Sequence, residues 1–359
     1  MKIRIGAGLG LRLGVGLRLM SLVLFFSFIV LPIPLQGAVV DWVSGEVSYS
    51  HYRGEWKDVD IGMDLNAGDI IKTGMQSEAV LLEDGGEIHI LENSEFTVSE
   101  RYEEEQKRST LMLFLGRMKF KIGKSTGKEP EIRTQTVNLA IRGTDFEVGS
   151  GYDGSTIVLL SDGSVAVQGK TEELVLDEGE GTEVLFGEEP REKFKVMERV
   201  IDWDEWFAYS EEAIEGNELN LLEKMLERFV ELQAEIRDNE TIRENALEEK
   251  EALIAKRDEL YDAGKEEEAT EYSIKAGNKS KRAIHALVNI RFLALSSIGL
   301  YDMAERIYTG IEEPSKEIVD VFAEIKEIYR WIEEKYIMAG DRERLEEKAD
   351  QKRGCLTLF

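Results

Sequence analysis

The sequence predicts a β-then-α protein, in which an all-β domain precedes an all-helical domain. Three patterns support this fold class. Residues 19–31 are uncharged and follow a basic opening, as in an export signal. Turn signals made of glycine and aspartate recur between short strand-like runs from residue 39 to about residue 186. From residue 217 onward proline is nearly absent, and apolar residues recur at helical spacing.

Length and composition divide the chain further. At 359 residues it can hold two domains, each large enough to bury its own core. We predict a signal peptide at 1–38, a β-domain at 39–190 and a linker or junction helix at 191–215. A helical domain at 216–345 and a tail at 346–359 follow.

The charge balance limits the classes of partner. The chain has 72 acidic and 45 basic residues, for a formal net charge of -27. Such a surface repels phosphate backbones and anionic lipids, so no nucleic acid is expected as a partner. The single cysteine, Cys355, excludes an intrachain disulfide, as in a cytosolic or a Gram-negative exported protein.

The N-terminal segment has the layout of a signal peptide. Four basic residues precede the apolar stretch Leu19–Leu31, and the small pair Gly37-Ala38 follows it. We expect cleavage near Ala38 and a periplasmic or otherwise extracytoplasmic bacterial location. The alternative is retention as an inner-membrane anchor, because the uncharged stretch continues to Val40. Membrane contact is expected only through this segment if it is uncleaved.

The β-rich half is predicted to be a sandwich or β-roll. Runs such as GEVSYSHY, EAVLLE and GSVAVQG alternate β-branched and aromatic residues with polar ones. No helical pattern separates them, which disfavours a parallel α/β sheet.

Three stretches of this half resemble the FecR domain family. They are Leu65–Val98, Leu113–Lys124 and Ile132–Val148. The first contains a Gly-Asp turn, a Thr-Gly step and an Asp-Gly hairpin turn, and the last contains Arg-Gly-Thr followed by alternating Phe and Val. The residues that carry the resemblance are Gly68, Asp69, Thr73, Gly74, Asp84, Gly85, Arg142, Gly143, Thr144, Phe146 and Val148.

We interpret these motif residues as mainly structural. The glycines stand where turns or close backbone approaches favour a residue without Cβ. Phe146 and Val148 are two apart, so both should face the core of a strand while Asp145 and Glu147 face water. Arg142 has two interpretations. It could contact a ligand or partner, or it could clamp the strand junction through an internal ion pair or carbonyl, which we favour.

Helices are predicted for the remainder. Trp203, Trp206 and Phe207 lie on one helical face, which favours core packing between the domains over a stacking platform for a ligand. Glycine-containing breaks predict some six helices. The breaks lie at 263–264, 276–278, 298–299, 310 and 339–340. The exposed helices suggest protein binding.

The helical half has two alternative organisations. Gly264–Ala269 and Gly299–Ala304 share a Gly-x4-Ala pattern offset by 35 residues, which is close to the tetratricopeptide period. An antiparallel helical hairpin or bundle explains the same residues equally well.

No catalytic function is predicted. The three histidines are scattered, they cannot form a Cys/His metal cluster with one cysteine, and no nucleophile-elbow, phosphate-loop or zinc-protease motif is present. We therefore expect no enzyme activity, no cofactor and no metal.

The resemblance also suggests a cellular role. Well-studied FecR-like proteins join a cytoplasmic region that binds a sigma factor, through one membrane span, to a periplasmic domain that senses an outer-membrane receptor. Here eighteen residues precede the apolar core, so we expect the periplasmic half without a cytoplasmic sigma-binding domain. The predicted function is an extracytoplasmic binding or scaffold module for an envelope protein or glycan. The alternative is a membrane-anchored signal transducer related to FecR-type sigma-factor regulators.

Overall fold

A computed structural model describes residues 38–83, 86–103, 106–122 and 131–338, with the backbone alone described at Arg142. Residues 1–37 of the predicted signal peptide, the Asp84-Gly85 turn and the predicted tail lie outside these residues. Within them the chain is β-rich up to Lys195 and helical from Trp203, so the predicted fold class is confirmed.

The β-half forms one sheet of fourteen strands within the described residues. The strands are β1 Val39–Ser44, β2 Val47–His51, β3 Lys57–Asp58, β4 Asp69–Thr73, β5 Glu78–Glu83, β6 Gly86–Ile90, β7 Glu95–Glu103, β8 Gln106–Ile122, β9 Glu131–Arg133, β10 Asn138–Ser150, β11 Thr156–Gln168, β12 Glu173–Asp177, β13 Glu180–Val184 and β14 Phe194–Lys195. The main path runs β14-β13-β11-β10-β9-β8-β7-β4-β2-β3, and β6, β5 and β1 extend from β8.

Strand β8 organises the sheet because it changes partners along its length. Its first half pairs with β7, whereas Met118–Ile122 pairs with β6 and Phe120 also faces Phe146 of β10. Gly116 lies between the two halves at φ +98°, where a Cβ would overlap Ser94. The inward-facing apolar residues of these strands form one continuous core.

Four α-helices follow within the described residues. They are α1 Trp203–Glu212, α2 Glu218–Asp262, α3 Glu266–Gly310 and α4 Lys316–Ile332, and a π-helical turn Glu333–Ile337 continues α4. Asp202 caps α1 by accepting hydrogen bonds from the N–H groups of Asp204 and Glu205, and Ser315 caps α4 through Ile318 N–H. The predicted breaks at 276–278 and 298–299 are wrong, because α3 continues through Gly277 and Gly299. The breaks at 263–264 and 310 fall at helix ends, and the one at 339–340 lies outside the described residues.

Helices α2 and α3 form an antiparallel hairpin, each about 68 Å long at 1.5 Å per residue. They turn at Gly264, whose φ is +72°. Buried small and apolar residues of α3 recur at intervals of seven, as in a coiled-coil seam. They are Ala269, Ala276, Ala283, Ile290, Ser297 and Ala304. The two Gly-x4-Ala segments are not equivalent, since one begins at the turn and the other lies inside α3, which favours the hairpin over a repeat.

Helix α3 is also, among the described residues, the one helix long and apolar enough to cross a membrane. Its most apolar 18-residue window has a mean hydropathy of 1.5, and 61% of that window is buried within the fold. Such burial is typical of the core helix of a folded domain.

The sheet and the helices share a core. Ile70, Met112, Phe114 and Phe186 pack in one apolar cluster with α2, α3 and α4. On another face, Trp206 packs on Ile157 and Leu159, with Trp203 and Phe207 beside it. These three aromatic residues therefore belong to a packed cluster, as predicted, but the cluster joins α1 to β11 of the sheet and includes no residue of the predicted helical domain.

Candidate functional site

The first group of motif residues lies within the packed β-half. Gly68 has φ +98°, and a Cβ there would come within 2.5 Å of the Tyr52 ring. Asp69 is buried, with its Oδ1 2.7 Å from His51 Nδ1, and its Oδ2 accepts from Asn66 N–H. These side chains are engaged in local structure.

The Thr-Gly step joins three chain segments. Thr73 Oγ1 donates to Leu91 O at 2.6 Å and accepts from Ser94 N–H at 2.9 Å. Gly74 N–H donates to Glu46 O at 2.8 Å. The step therefore contributes hydrogen bonds between strand ends and presents no free polar side chain.

The second group lies on β10. Phe146 and Val148 are buried, and the Phe146 ring stacks on Phe120 at 4.5 Å. Gly143 has φ +56° at a bulge in the β10–β11 ladder, and Thr144 Oγ1 is buried without a hydrogen-bond partner among the described residues. The side chain of Arg142, together with Asp84 and Gly85, lies outside the described residues.

A pocket of about 350 Å³ opens where the β-half meets the helices. Its size falls within the usual range for ligand sites, roughly 300–1,000 Å³. One wall is residues 133–138, between β9 and β10, and the opposite wall is α2 with part of α3. Further lining residues come from the β11–β12 turn and from the segment after β13. The polar and charged lining residues are Arg133, Thr134, Gln135, Thr136, Asn138, Gln168, Lys170, Glu188, Lys224, Glu227, Arg228, Glu231 and Ser296.

Three lining side chains on the 133–138 wall lack full hydrogen bonding. Arg133 donates through Nε to Glu131, but its terminal amino groups donate to no atom of the described residues. The side-chain amide of Gln135 has no partner in the same part of the chain. Asn138 Oδ1 is buried and unpartnered there. Arg133 and Gln135 are partly exposed, whereas a buried polar atom without a partner, such as Asn138 Oδ1, is uncommon in folded proteins.

Glu131 is shared between two guanidinium groups. Its carboxylate accepts from Arg101 Nε at 2.6 Å and from Arg133 Nε at 3.0 Å. Burial acts to raise the pKa of Glu131, but the charges and hydrogen bonds of Arg133 and Arg101 outweigh it and lower the pKa. Both guanidinium groups also lie over the Phe292 ring of α3. Arg101 also lies 3.6 Å from Glu103, so the two guanidinium groups face two carboxylates.

The α2 wall carries cations whose carboxylate partners are also shared. Arg228 binds Glu231 at 3.0 Å and Glu235 at 2.8 Å, while Lys170 reaches Glu231 at 3.5 Å. Lys224 donates to the carbonyl of Phe186 at 3.2 Å. Four cations and three carboxylates therefore line the pocket of a strongly acidic protein.

A second polar cluster ties the β2–β3 turn to the helices. Arg53 donates to Tyr329 Oη at 2.8 Å on α4 and to Asp302 Oδ1 at 2.7 Å on α3. Burial raises the pKa of Asp302 although Arg53 opposes it, and burial also raises the pKa of Glu95, which pairs with Lys72. These contacts hold the sheet and both helices in one arrangement.

The β7–β8 hairpin provides a third connection. Its Tyr102 exchanges backbone hydrogen bonds with the Asn289 amide, at 2.7 Å and 3.1 Å, and its ring stacks on His285 at 3.7 Å. On the N-terminal side of His285, α3 extends away from this hairpin toward the turn at Gly264.

The distal part of the α2–α3 hairpin, residues 241–284, we name the arm. The side chains of Lys335 and Tyr336 bind Glu240 at its base. Within the arm the buried residues are Ala246, Leu260, Ala269, Ala276 and Ala283. The arm also exposes Ile274 and Ile284, at 62% and 56%. It is a two-helix coiled coil with a narrow seam and a mixed charged and apolar surface.

Sequence patterns did not identify the pocket. Residues 133–138 lie inside a stretch that carries the family resemblance, but the motif residues there are further along the strand. One available signal was the polar run Arg-Thr-Gln-Thr between Ile132 and Val137, both of which are buried. Among the described residues, no group of three or more His, Cys, Asp or Glu side chains could hold a metal ion.

Comparison with known proteins places a family match on the β-half. Residues 69–197 match the family described as FecR protein. No curated protein matches this chain.

Two crystal structures of a "putative anti-sigma factor" from Parabacteroides distasonis are similar to part of the chain, at 18% and 19% identity. In each case the similarity covers 35% of this chain and 59% of the other, with a TM-score of 0.29. The chain thus spans little more than half of those proteins, and so low a TM-score carries no argument about function.

Proposed function

We propose that residues 69–197 form a FecR domain and that the chain is a non-catalytic FecR-type regulator. It acts outside the cytoplasm through protein contacts of its arm. The observation that carries the proposal is the shared core of the FecR domain and the helices. Phe114 of β8 packs directly against Gly299 of α3. A partner bound to the arm would therefore be held in a fixed orientation to the FecR domain.

The surface of the arm supports protein binding. Its two helices bury little beyond their own seam, and Ile274 and Ile284 stand among charged residues on its outside. Exposed apolar side chains with a charged surround are the composition of many protein-binding surfaces. Nucleic acid is disfavoured by the net charge of -27.

A second candidate function is a scaffold that binds an envelope glycan. The polar lining of the pocket favours it, because amide and hydroxyl side chains bind sugar hydroxyls. In this case the FecR domain would contribute the binding surface and the helices one wall of it.

Extracytoplasmic placement rests on the basic and apolar N-terminal sequence together with the FecR family match. Intact-mass measurement and N-terminal sequencing of protein from fractionated cells test it. A mature chain that begins near Val39 in the soluble envelope fraction fits export with cleavage, and a full-length chain in the membrane fraction fits an anchored regulator. Recovery of the intact chain from the cytoplasm would contradict both.

The arm is tested by affinity capture from envelope extracts with the full chain. We expect a specific partner that the double variant Ile274→Glu/Ile284→Glu loses. The matched control is Val175→Glu, which changes an exposed apolar residue on β12 of the FecR domain and should leave capture intact. Equal capture by the wild type and the double variant would contradict a role for the arm.

A further inference from the structure

We propose that the pocket between the FecR domain and the helices binds a small carboxylated ligand, with Arg133 on its carboxylate and Gln135 and Asn138 on its neighbouring hydroxyl or amide groups. This inference concerns a different surface from the arm. It therefore stands or falls independently of the proposed protein partner, and it refines the glycan-binding candidate, which uses the same pocket.

The first argument is the hydrogen bonding of the 133–138 wall. The terminal amino groups of Arg133 and the amides of Gln135 and Asn138 form no hydrogen bond within the described residues, although all three line one pocket. Donors and acceptors left open side by side are what a polar ligand requires. The neighbouring Thr134 differs, because its hydroxyl accepts from Thr136 and Val137 N–H groups and serves the turn itself.

The second argument is charge. Among the described residues Arg133 pairs with one carboxylate, that of Glu131, which Arg101 also binds, and Arg133 reaches it only through Nε. A guanidinium group matches a carboxylate through two parallel hydrogen bonds, and the open terminal groups of Arg133 provide that fork. Shielding from solvent strengthens this attraction, since the Arg133 side chain is only 25% exposed.

The third argument distinguishes a carboxylate from a phosphate. Glu188, Glu227 and Glu231 also line the pocket, and they would repel a doubly charged phosphate group more strongly than a singly charged carboxylate. The same glutamates accept hydrogen bonds from ligand hydroxyl or N–H groups. A ligand with one carboxylate and several neutral donors fits both walls.

Two sources share this chemistry, an acidic sugar and the C-terminal end of a short peptide. Isothermal titration calorimetry with the full chain distinguishes them through matched probes. N-acetylmuramic acid is compared with N-acetylglucosamine, which lacks the carboxylate, and alanylalanine is compared with its C-terminal amide. We expect one acidic probe to bind with a single-site isotherm and its neutral counterpart to bind at least about tenfold more weakly.

Variants then locate the site. Arg133→Gln and Asn138→Leu should each weaken binding by about tenfold or more, whereas Asn278→Leu, on the exposed surface of the arm, should not. Thermal unfolding shows whether each variant remains folded. Asn138→Leu should melt at or above the wild-type temperature because it removes an unpartnered buried oxygen. The proposal is overturned if neither acidic probe binds better than its neutral counterpart, or if binding survives both pocket variants.

Discussion

Gly299 tests the contact between the FecR domain and the helices. It lies inside α3, where alanine would ordinarily stabilise the helix by about 1 kcal/mol. However, a Cβ at this position would overlap Cγ and Cδ1 of Phe114 and lie 2.5 Å from Gln135 Nε2. The ring atoms belong to a packed core, so the overlap should cost about 2–3 kcal/mol. We therefore expect Gly299→Ala to lower the free energy of unfolding by about 1–2 kcal/mol.

Gly277 provides the matched control in the same helix. A Cβ there meets no atom within 4 Å, so Gly277→Ala should raise the free energy of unfolding by about 0.5–1 kcal/mol. Urea denaturation followed by circular dichroism measures both changes. In a double-mutant cycle, Phe114→Leu should reduce the cost of Gly299→Ala. Equal stabilisation by the two alanines would refute the close approach of α3 to β8.

Three further predictions concern the β-half, its contact with α4, and the arm. Glu131→Gln should cost about 2 kcal/mol at neutral pH. Because folding lowers the pKa of Glu131, its contribution is complete above the unfolded pKa of about 4.3 and is lost as pH falls, so urea titrations should show this difference shrinking below about pH 4. Tyr329→Phe removes a 2.8 Å hydrogen bond from Arg53, whose side chain is 32% exposed, and should lower stability in the same assay by about 1 kcal/mol. Hydrogen exchange should be faster at Ala276 in the arm than at Leu300 in the shared core.

Local patterns predicted much of the fold. Turn signals and alternating runs identified the β-half, and helical spacing identified the second half, because both periodicities are local properties of the chain. The predicted breaks at Gly277 and Gly299 were wrong for a physical reason. A glycine inside a helix costs only about 1 kcal/mol, which the packing of a 45-residue helix in a hairpin outweighs. At Gly299 the glycine instead permits the contact with Phe114.

The pocket could not be predicted in the same way. Its walls come from residues 133–138 and from α2 around Arg228, which are far apart in the sequence and meet only through the shared core. The motif residues such as Asp69 and Thr73 carried the family resemblance because they hold turns and strand ends together. Ligand-facing residues such as Gln135 lie beside that framework and follow no local period.

The most direct test of the regulator account is photo-cross-linking in living cells. A photoreactive amino acid is placed at Ile274 on the arm and, in a parallel strain, at Val175 on the FecR domain, both of which are exposed. We predict a discrete adduct with one envelope protein from position 274 that is absent from position 175. The same adducts from both positions, or none from position 274, would contradict the account.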